Sequence, residues 1–303
     1  MLPVNAIAFV AGYVALEWVS FIHPFSEYGF TPWNPSVGLG LAFLVRSGPR
    51  HAIFFAAAVV LSEMIVRHLP APLGVTLVSA AVMAGGYAGA AYLLRRVRGF
   101  DTELCTLSSI VALGLIGLLF SGLVSASNAG LFAVTGYLAW EDYPTAAIRD
   151  WVGDMIGIAI VAPLYFRTRK ILRRDLLVSL RNNAFVITLQ LLSILICIWV
   201  IFGLLGDNAE KFFYFLFVPV IWVALRCGLD GASVALATTQ IGMIAAFEIG
   251  QFGSSAVTEF QMMMLALVFT GLQVGYVVSD RRRVGRLLDA SVERAHEHRI
   301  EMA

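Results

Sequence analysis

Charge is what this sequence has least of. Asp, Glu, Lys and Arg make up 14% of its residues, where soluble domains carry about 25%. Hydrophobic residues take their place, at 59% of the chain and a mean hydropathy of +0.82. That balance excludes a soluble core with one anchor and predicts an integral membrane protein. Cysteine is also scarce. Cys105, Cys197 and Cys227 lie in or beside apolar stretches without paired spacing, which excludes a disulfide framework or a zinc pattern; all three read as small buried hydrophobes. Five histidines show no ligand spacing, so no transition-metal site is expected. There is no nucleophile elbow, P-loop, dinucleotide Gly motif or HExxH pattern. The expectation is therefore no catalytic residue, no metal and no cofactor. A net charge of +1 gives no reason to expect a nucleic-acid partner. No basic segment precedes the first apolar run and no small-residue cleavage site follows it, so Ala6 onward reads as a retained span.

What is present is a series of apolar runs long enough to cross, or nearly cross, hydrocarbon. They are Ala6–Ile22, Pro35–Val45, Ala52–Val66, Leu73–Leu94, Leu104–Ser125, Trp151–Phe166, Ala184–Leu205, Phe212–Leu225, Ala232–Phe247 and Phe260–Val278. Backbone groups in lipid need internal partners, which makes the runs helical. The fold class is all-α, a polytopic transmembrane bundle of about ten spans. Threaded alternately, the runs leave eighteen of the 21 Lys and Arg on one side and only Arg67, Arg149 and Lys211 on the other. Dropping any one span mixes the two sets. The positive-inside rule then predicts a multi-pass protein of the plasma membrane with both termini cytoplasmic.

Two spans are short. Val37–Val45 covers nine residues, about 14 Å at the helical rise, against about 30 Å of hydrocarbon. It needs the preceding Thr31–Ser36 as partly buried, non-helical backbone, tolerated only inside protein or along a wet cavity. The other, Phe212–Leu225, is interrupted by Pro219. Both end alike, as Leu44-Val-Arg46-Ser-Gly48 and Ala224-Leu-Arg226-Cys-Gly228. Broken spans in matching positions of an internal repeat point to a central binding site. The pairs Gly85/Gly89, Gly153/Gly157 and Gly271/Gly275 suit close helix contact.

Ionisable residues inside spans are costly and usually face the bundle interior. Here they are Glu17, Glu63, Asp150, Asp154 and Glu248, with His23 and Glu259 near span ends. Asp150 and Asp154 share one helix face, with Arg149 placed to pair with one of them. Glu17, Trp33, Asn34, Glu63, Asp150 and Asp154 all fall toward the charge-poor side. They are the candidate ligand-sensing set, expected to line a cup open on that side. Structural ion pairing or helix capping is the plainer reading of each carboxylate. His23 reads as an interfacial residue, and the tryptophans suit an interfacial belt.

After Val278 the composition changes. Leu288, Val292, Ala295, Arg299 and Met302 follow the spacing of a coiled-coil seam, with Arg299 as a flaw. The plainer reading is a juxtamembrane helix on anionic lipid. The functional one is a parallel two-stranded connector, a homodimer whose output passes through Arg281, Leu288, Val292 and Ala295. Residues 1–279 then form a membrane domain and 280–303 a signalling helix.

Trp33-Asn-Pro35-Ser-Val-Gly38-Leu-Gly-Leu-Ala42 with Arg46-Ser-Gly48 resembles the first signature of the membrane-associated sensor (MASE) domain of the first class. Asn34 stands where the family usually has a proline. Asp150-Trp151-Val-Gly153-Asp154-Met-Ile-Gly157 with Ala162-Pro163-Leu164 is similar to its second signature, and Pro219 through Arg226-Cys-Gly228 to its third. The resemblance covers roughly Ala6–Val278. It implies a sensor of the bacterial inner membrane placed ahead of a histidine kinase or a cyclic-di-GMP enzyme. Glu293–Ala303 resembles the connector before the phosphoacceptor helix of some sensor kinases. His296 and His298 are not read as phosphoacceptors, because too few residues follow them. The expected function is a sensory input module, most simply of a two-component histidine kinase. It would take its stimulus from a small ligand, an ion, the membrane or a partner membrane protein. The alternatives are a secondary transporter, against which the rigid tail argues, and a docking module that reads another membrane protein.

Overall fold

The computed structural model describes residues 2–21, 33–104, 106–173, 176–205, 209–250 and 254–301. Among them there is helix and no strand. The helices are α1 (Leu2–Ser20), α2 (Pro35–Ser47), α3 (Ala52–Ile65), α4 (Leu73–Arg96), α5 (Leu107–Val134), α6 (Tyr143–Arg173), α7 (Leu176–Ile198), α8 (Ala209–Phe212), α9 (Phe217–Gly250) and α10 (Ser254–Glu301). Local chemistry sets several ends. The Thr106 hydroxyl accepts from Ser109 N at 3.3 Å and starts α5, meeting one of the amides a helix leaves open. Pro35 opens α2, where its missing N–H costs nothing.

About ten membrane-crossing helices is an overcount. Among the described residues five are long and apolar enough to cross: Leu73–Arg96, Leu107–Val134, Phe185–Leu204, Phe213–Ala246 and Thr258–Arg286. The reasons are physical. The first two runs give the shorter apolar helices Asn5–Ser20 and Pro35–Ser47. The third gives only the 14 residues of α3. The run Trp151–Phe166 belongs to the 31-residue α6, where Arg149, Asp150, Asp154 and Arg167 dilute its hydropathy. The run Phe212–Leu225 is divided, with Phe212 closing α8, Phe213–Leu216 in a 3-10 turn and the rest in α9; α9 also holds the run Ala232–Phe247, beyond a non-helical Gly228. The expected interruption falls just before Pro219, where the 3-10 turn Phe213–Leu216 gives way to α9. Pro219 itself sits in the first turn of α9, where helices accept proline.

Within α9 the chain reverses at Gly228, whose φ of 67° and ψ of −154° are not helical. Val220 before it and Leu236 after it both lie against Gly271 of α10. Gly48, at φ 107°, makes the matching turn between α2 and α3. The two similar sequence segments are thus two similar hairpins, each turned on a glycine in a conformation other residues reach only with strain. The likeness extends to their caps. Arg95, at the end of α4, donates to the Val45 carbonyl at 2.9 Å. Arg282, on α10, donates to the Leu225 carbonyl at 3.4 Å and the Arg226 carbonyl at 2.8 Å. Val45 and Leu225 hold the same place in the repeated segment.

These contacts gather the basic groups at one end of the bundle. Arg46 stands over the Tyr165 ring of α6, 6.0 Å from its centroid, so α2 and α6 run the same way. Close helix contact follows small residues, as expected, with one shift of register. On α4 it is Gly86 and Gly89 that face Val124 and Phe120 of α5, whereas Gly85 has open space beside it. Gly275 meets Ala232 and Leu229, and Gly271 meets Val220 and Leu236, as their pairing predicts. The tightest approach is between α2 and α6. A Cβ on Gly157 would lie 1.9 Å from the Asn34 carbonyl oxygen, and one on Gly38 2.2 Å from the Gly157 oxygen.

Candidate functional site

The end of the bundle opposite the arginines holds a buried polar cluster. Its centre is Asn34, in the non-helical step (φ −115°, ψ 76°) just before α2. The backbone N–H of Asn34 donates to Gly153 O of α6 at 3.2 Å. Its amide Nδ2 donates to Asp154 Oδ1 at 2.6 Å and to Asp150 Oδ1 at 3.3 Å. One amide group therefore serves two carboxylates four residues apart on α6. The Tyr87 hydroxyl of α4 donates to the second oxygen of Asp154. Asp154 is 1% exposed and Tyr87 fully buried.

A second group of carboxylates lies alongside. Ser36 Oγ donates to Glu17 Oε1 of α1 at 2.5 Å. Arg67, just past α3, reaches the other Glu17 oxygen at 3.2 Å and lies 3.5 Å from Glu63 Oε1. The guanidinium also stands over the Phe21 ring at 5.2 Å. Taken together, residues of α1, α2, α3, α4 and α6 meet here.

All six expected sensing residues fall at this end, and contacts join five of them in the two groups just described. Trp33, the sixth, is buried beside Asn34. The arrangement differs from an open cup. Glu17, Trp33, Asn34 and Asp154 are buried, and the carboxylates take protein partners, since an unpaired charge in a low-dielectric interior is costly. Arg149 Nε donates to Thr258 Oγ1 of α10 at 2.8 Å; the cation in ion-pair contact with Glu17 and Glu63 is Arg67. Tyr87, Ser36 and Arg67 were missed as site residues. For Arg67 a signal existed, because it is one of three cations on the charge-poor side. Glu259 is exposed. His23, and the side chain of Glu248, lie outside the described residues.

The far end of α6 touches the Gly228 hairpin. Arg167, 5% exposed, forms an ion pair through Nε and Nη2 with the Asp230 carboxylate, just after the Gly228 turn, and donates to the Glu103 carbonyl at 2.8 Å. Next to Asp230 in the chain, Leu229 N donates to Ser279 Oγ of α10 at 2.9 Å. Gly228 leaves no room for a side chain, since a Cβ there would lie 2.4 Å from Ser279 Oγ. So α6 carries Asp150 and Asp154 near one end and grips the hairpin that seats α10 near the other. Beside this grip a cavity of about 450 Å³ lies between α5, α6 and α10, lined by Leu107, Gly114, Pro163, Leu229 and Tyr276 among others.

Beyond the bundle α10 continues as one 48-residue helix. Arg281 is exposed, and Leu288 and Val292 are 60% and 67% exposed. Ala295 continues the helix, its side chain outside the described residues.

The class defined by this fold and site is a polytopic α-helical membrane domain with a buried polar centre. Residues 4–282 match the model of the MASE1 family, and the chain belongs to that family of membrane-associated sensor domains. No curated protein and no solved structure matches the chain. It is therefore a membrane sensory domain of the kind found in signalling proteins. The first two sequence signatures meet in space, with Gly38 of one packed on Gly157 of the other; in this chain Asn34 adds its bonds to Gly153 and Asp154.

Proposed function

We propose that this domain is the input module of a two-component sensor histidine kinase in the bacterial inner membrane, with both termini cytoplasmic. Residues 1–279 receive the stimulus, and 280–303 pass it to an output domain through a dimeric helix. The observation that carries this reading is the Asn34 amide shared between Asp150 and Asp154, on a helix that also grips the seat of α10. A small ligand, an ion or a partner membrane protein that competes for this amide would favour a second packing of α2 on α6. Such a bias shifts a two-state population only as far as the stimulus binds the two packings differently. Arg167 would relay the shift to the Gly228 hairpin, and the cavity beside α10 leaves room for that helix to tilt.

Asp154→Asn tests the input. Asparagine keeps the shape and one acceptor oxygen, for Asn34, but removes the charge and turns the Tyr87 side into a donor. In the full-length protein the dose response is expected to shift by about tenfold or more, equivalent to roughly 1.4 kcal/mol of coupling, while the bundle stays folded. A wild-type dose response would remove Asp154 from the site.

The output has its own test. Exposed apolar residues at heptad spacing need a partner to cover them. Val292→Cys is expected to form a disulfide-linked dimer in native membranes under mild oxidation. Asp289→Cys, off the seam, should cross-link several-fold less. Equal cross-linking at both positions would argue against a parallel seam.

A further inference from the structure

The turn between α2 and α3 and the end of α4 form a second charged site, unconnected to the sensing cluster. Arg46, Arg50 and His51 come from the turn, and Arg95, Arg96 and Arg98 from the helix end; no Asp or Glu lies within either segment. The two segments are held together by the bond from Arg95 to the Val45 carbonyl. Arg95 and His51 converge on Gly48: a Cβ there would lie 3.7 Å from Arg95 Nη1 and 3.8 Å from His51 Nδ1.

The contacts that order these cations are with neutral groups. Arg46 stands over Tyr165 and Arg96 over Tyr92, the latter 4.7 Å from the ring centroid. The Arg95 guanidinium is on a carbonyl, and His51 Nδ1 is 3.3 Å from the Gly48 carbonyl. Ring faces and carbonyls fix direction without cancelling formal charge. Arg167, at the same end, differs in being paired with Asp230. The nearest acidic residues beyond the helix end, Asp101 and Glu103, belong to the following loop, where the Asp101 carboxylate accepts from Glu103 N.

The depth of the patch selects its partner. Tyr92 and Leu93, in the turn that precedes Arg95, are 46% and 40% exposed, while Leu94 packs inward. On a membrane helix such residues face hydrocarbon, and the arginines that follow stand at headgroup level. We propose that this patch binds the phosphate of an anionic phospholipid, with Arg50, Arg95 and Arg98 as ligands and Gly48 as the floor of the site. Basic pockets between helices at the membrane surface suit such headgroups.

The test uses the whole chain in nanodiscs of phosphatidylcholine and phosphatidylglycerol in equal amounts. Lipids that remain bound after detergent extraction are counted by mass spectrometry. The wild type should retain phosphatidylglycerol preferentially. Arg50→Gln and Arg98→Gln, both exposed, should each lower that preference about fivefold, the weight of one basic residue at a charged surface. Lys211→Gln, at the other end of the bundle, should leave it unchanged. Equal retention of the two lipids by the wild type would overturn the proposal, and so would an unchanged preference in both arginine variants. Displacement of the lipid by excess inorganic phosphate would mark a free-anion site and overturn the lipid assignment.

Discussion

Gly157→Ala is expected to prevent α2 from docking on α6. The new methyl would sit 1.9 Å from the Asn34 carbonyl oxygen and 2.6 Å from its carbon. Both are backbone atoms, so no side chain can swing away. The facing Gly38 already lies against the Gly157 carbonyl and has no space to give. Overpacking usually costs about 1–3 kcal/mol. Here the separation of two helices would also break the bond from Asn34 N to Gly153 O and pull the Asn34 amide from both aspartates. The expected loss is at or above the top of that range, a large share of a total stability of about 5–15 kcal/mol. Thermal unfolding in detergent checks it, with Gly85→Ala as the control. A Cβ on Gly85 meets nothing within 4 Å, so that variant should match the wild type. A Gly157→Ala protein with wild-type melting would refute the α2–α6 contact.

Arg67→Met should have the next largest effect. It removes the cation that meets both Glu17 and Glu63 and leaves Glu17, whose side chain is 7% exposed, as a buried charge. Breaking a buried pair from one side costs about 3–5 kcal/mol. The lower part of that range applies, because the Arg67 and Glu63 side chains are 21% and 22% exposed. Methionine keeps most of the volume, so the loss reports charge more than packing. The double variant Glu17→Gln with Arg67→Met should recover most of the stability, because neither buried charge remains. Melting temperatures of the two single variants and the double variant close the cycle. Simple additivity would show that the two residues are not coupled.

Much of the architecture was legible because lipid limits the options. Scarce charge and long apolar runs leave little but helices. Trp33-Asn-Pro marked the non-helical entry to α2, and Arg46-Ser-Gly48 and Arg226-Cys-Gly228 marked two turns of one kind. The four-residue spacing of Asp150 and Asp154 placed both on the face that meets Asn34. The number of crossing helices was misread, because hydropathy alone cannot separate a short buried helix from a full span. The partners of the carboxylates were hidden for a different reason. Tyr87 lies 67 residues from Asp154, and Arg67 lies 50 from Glu17. Only packing brings them together, and no local pattern records it. Gly85 and Gly86 show the same limit at finer scale, since one residue of register decides which of them faces α5.

The paired hairpins share a plan but end differently. Each is built alike, with a short helix, a glycine turn, a returning helix, and a third element whose arginine covers the same carbonyl. In the first copy that third element, α4, stops one residue after its capping arginine, and its inner face supplies Tyr87 to the polar centre. In the second copy the third element, α10, runs on past Arg282 for nineteen more helical residues. In the proposed reading the first construction serves as receiver and the second as transmitter, with α6 between them. The arginine that merely finishes α4 becomes, in α10, the last point at which the membrane domain holds its outgoing helix.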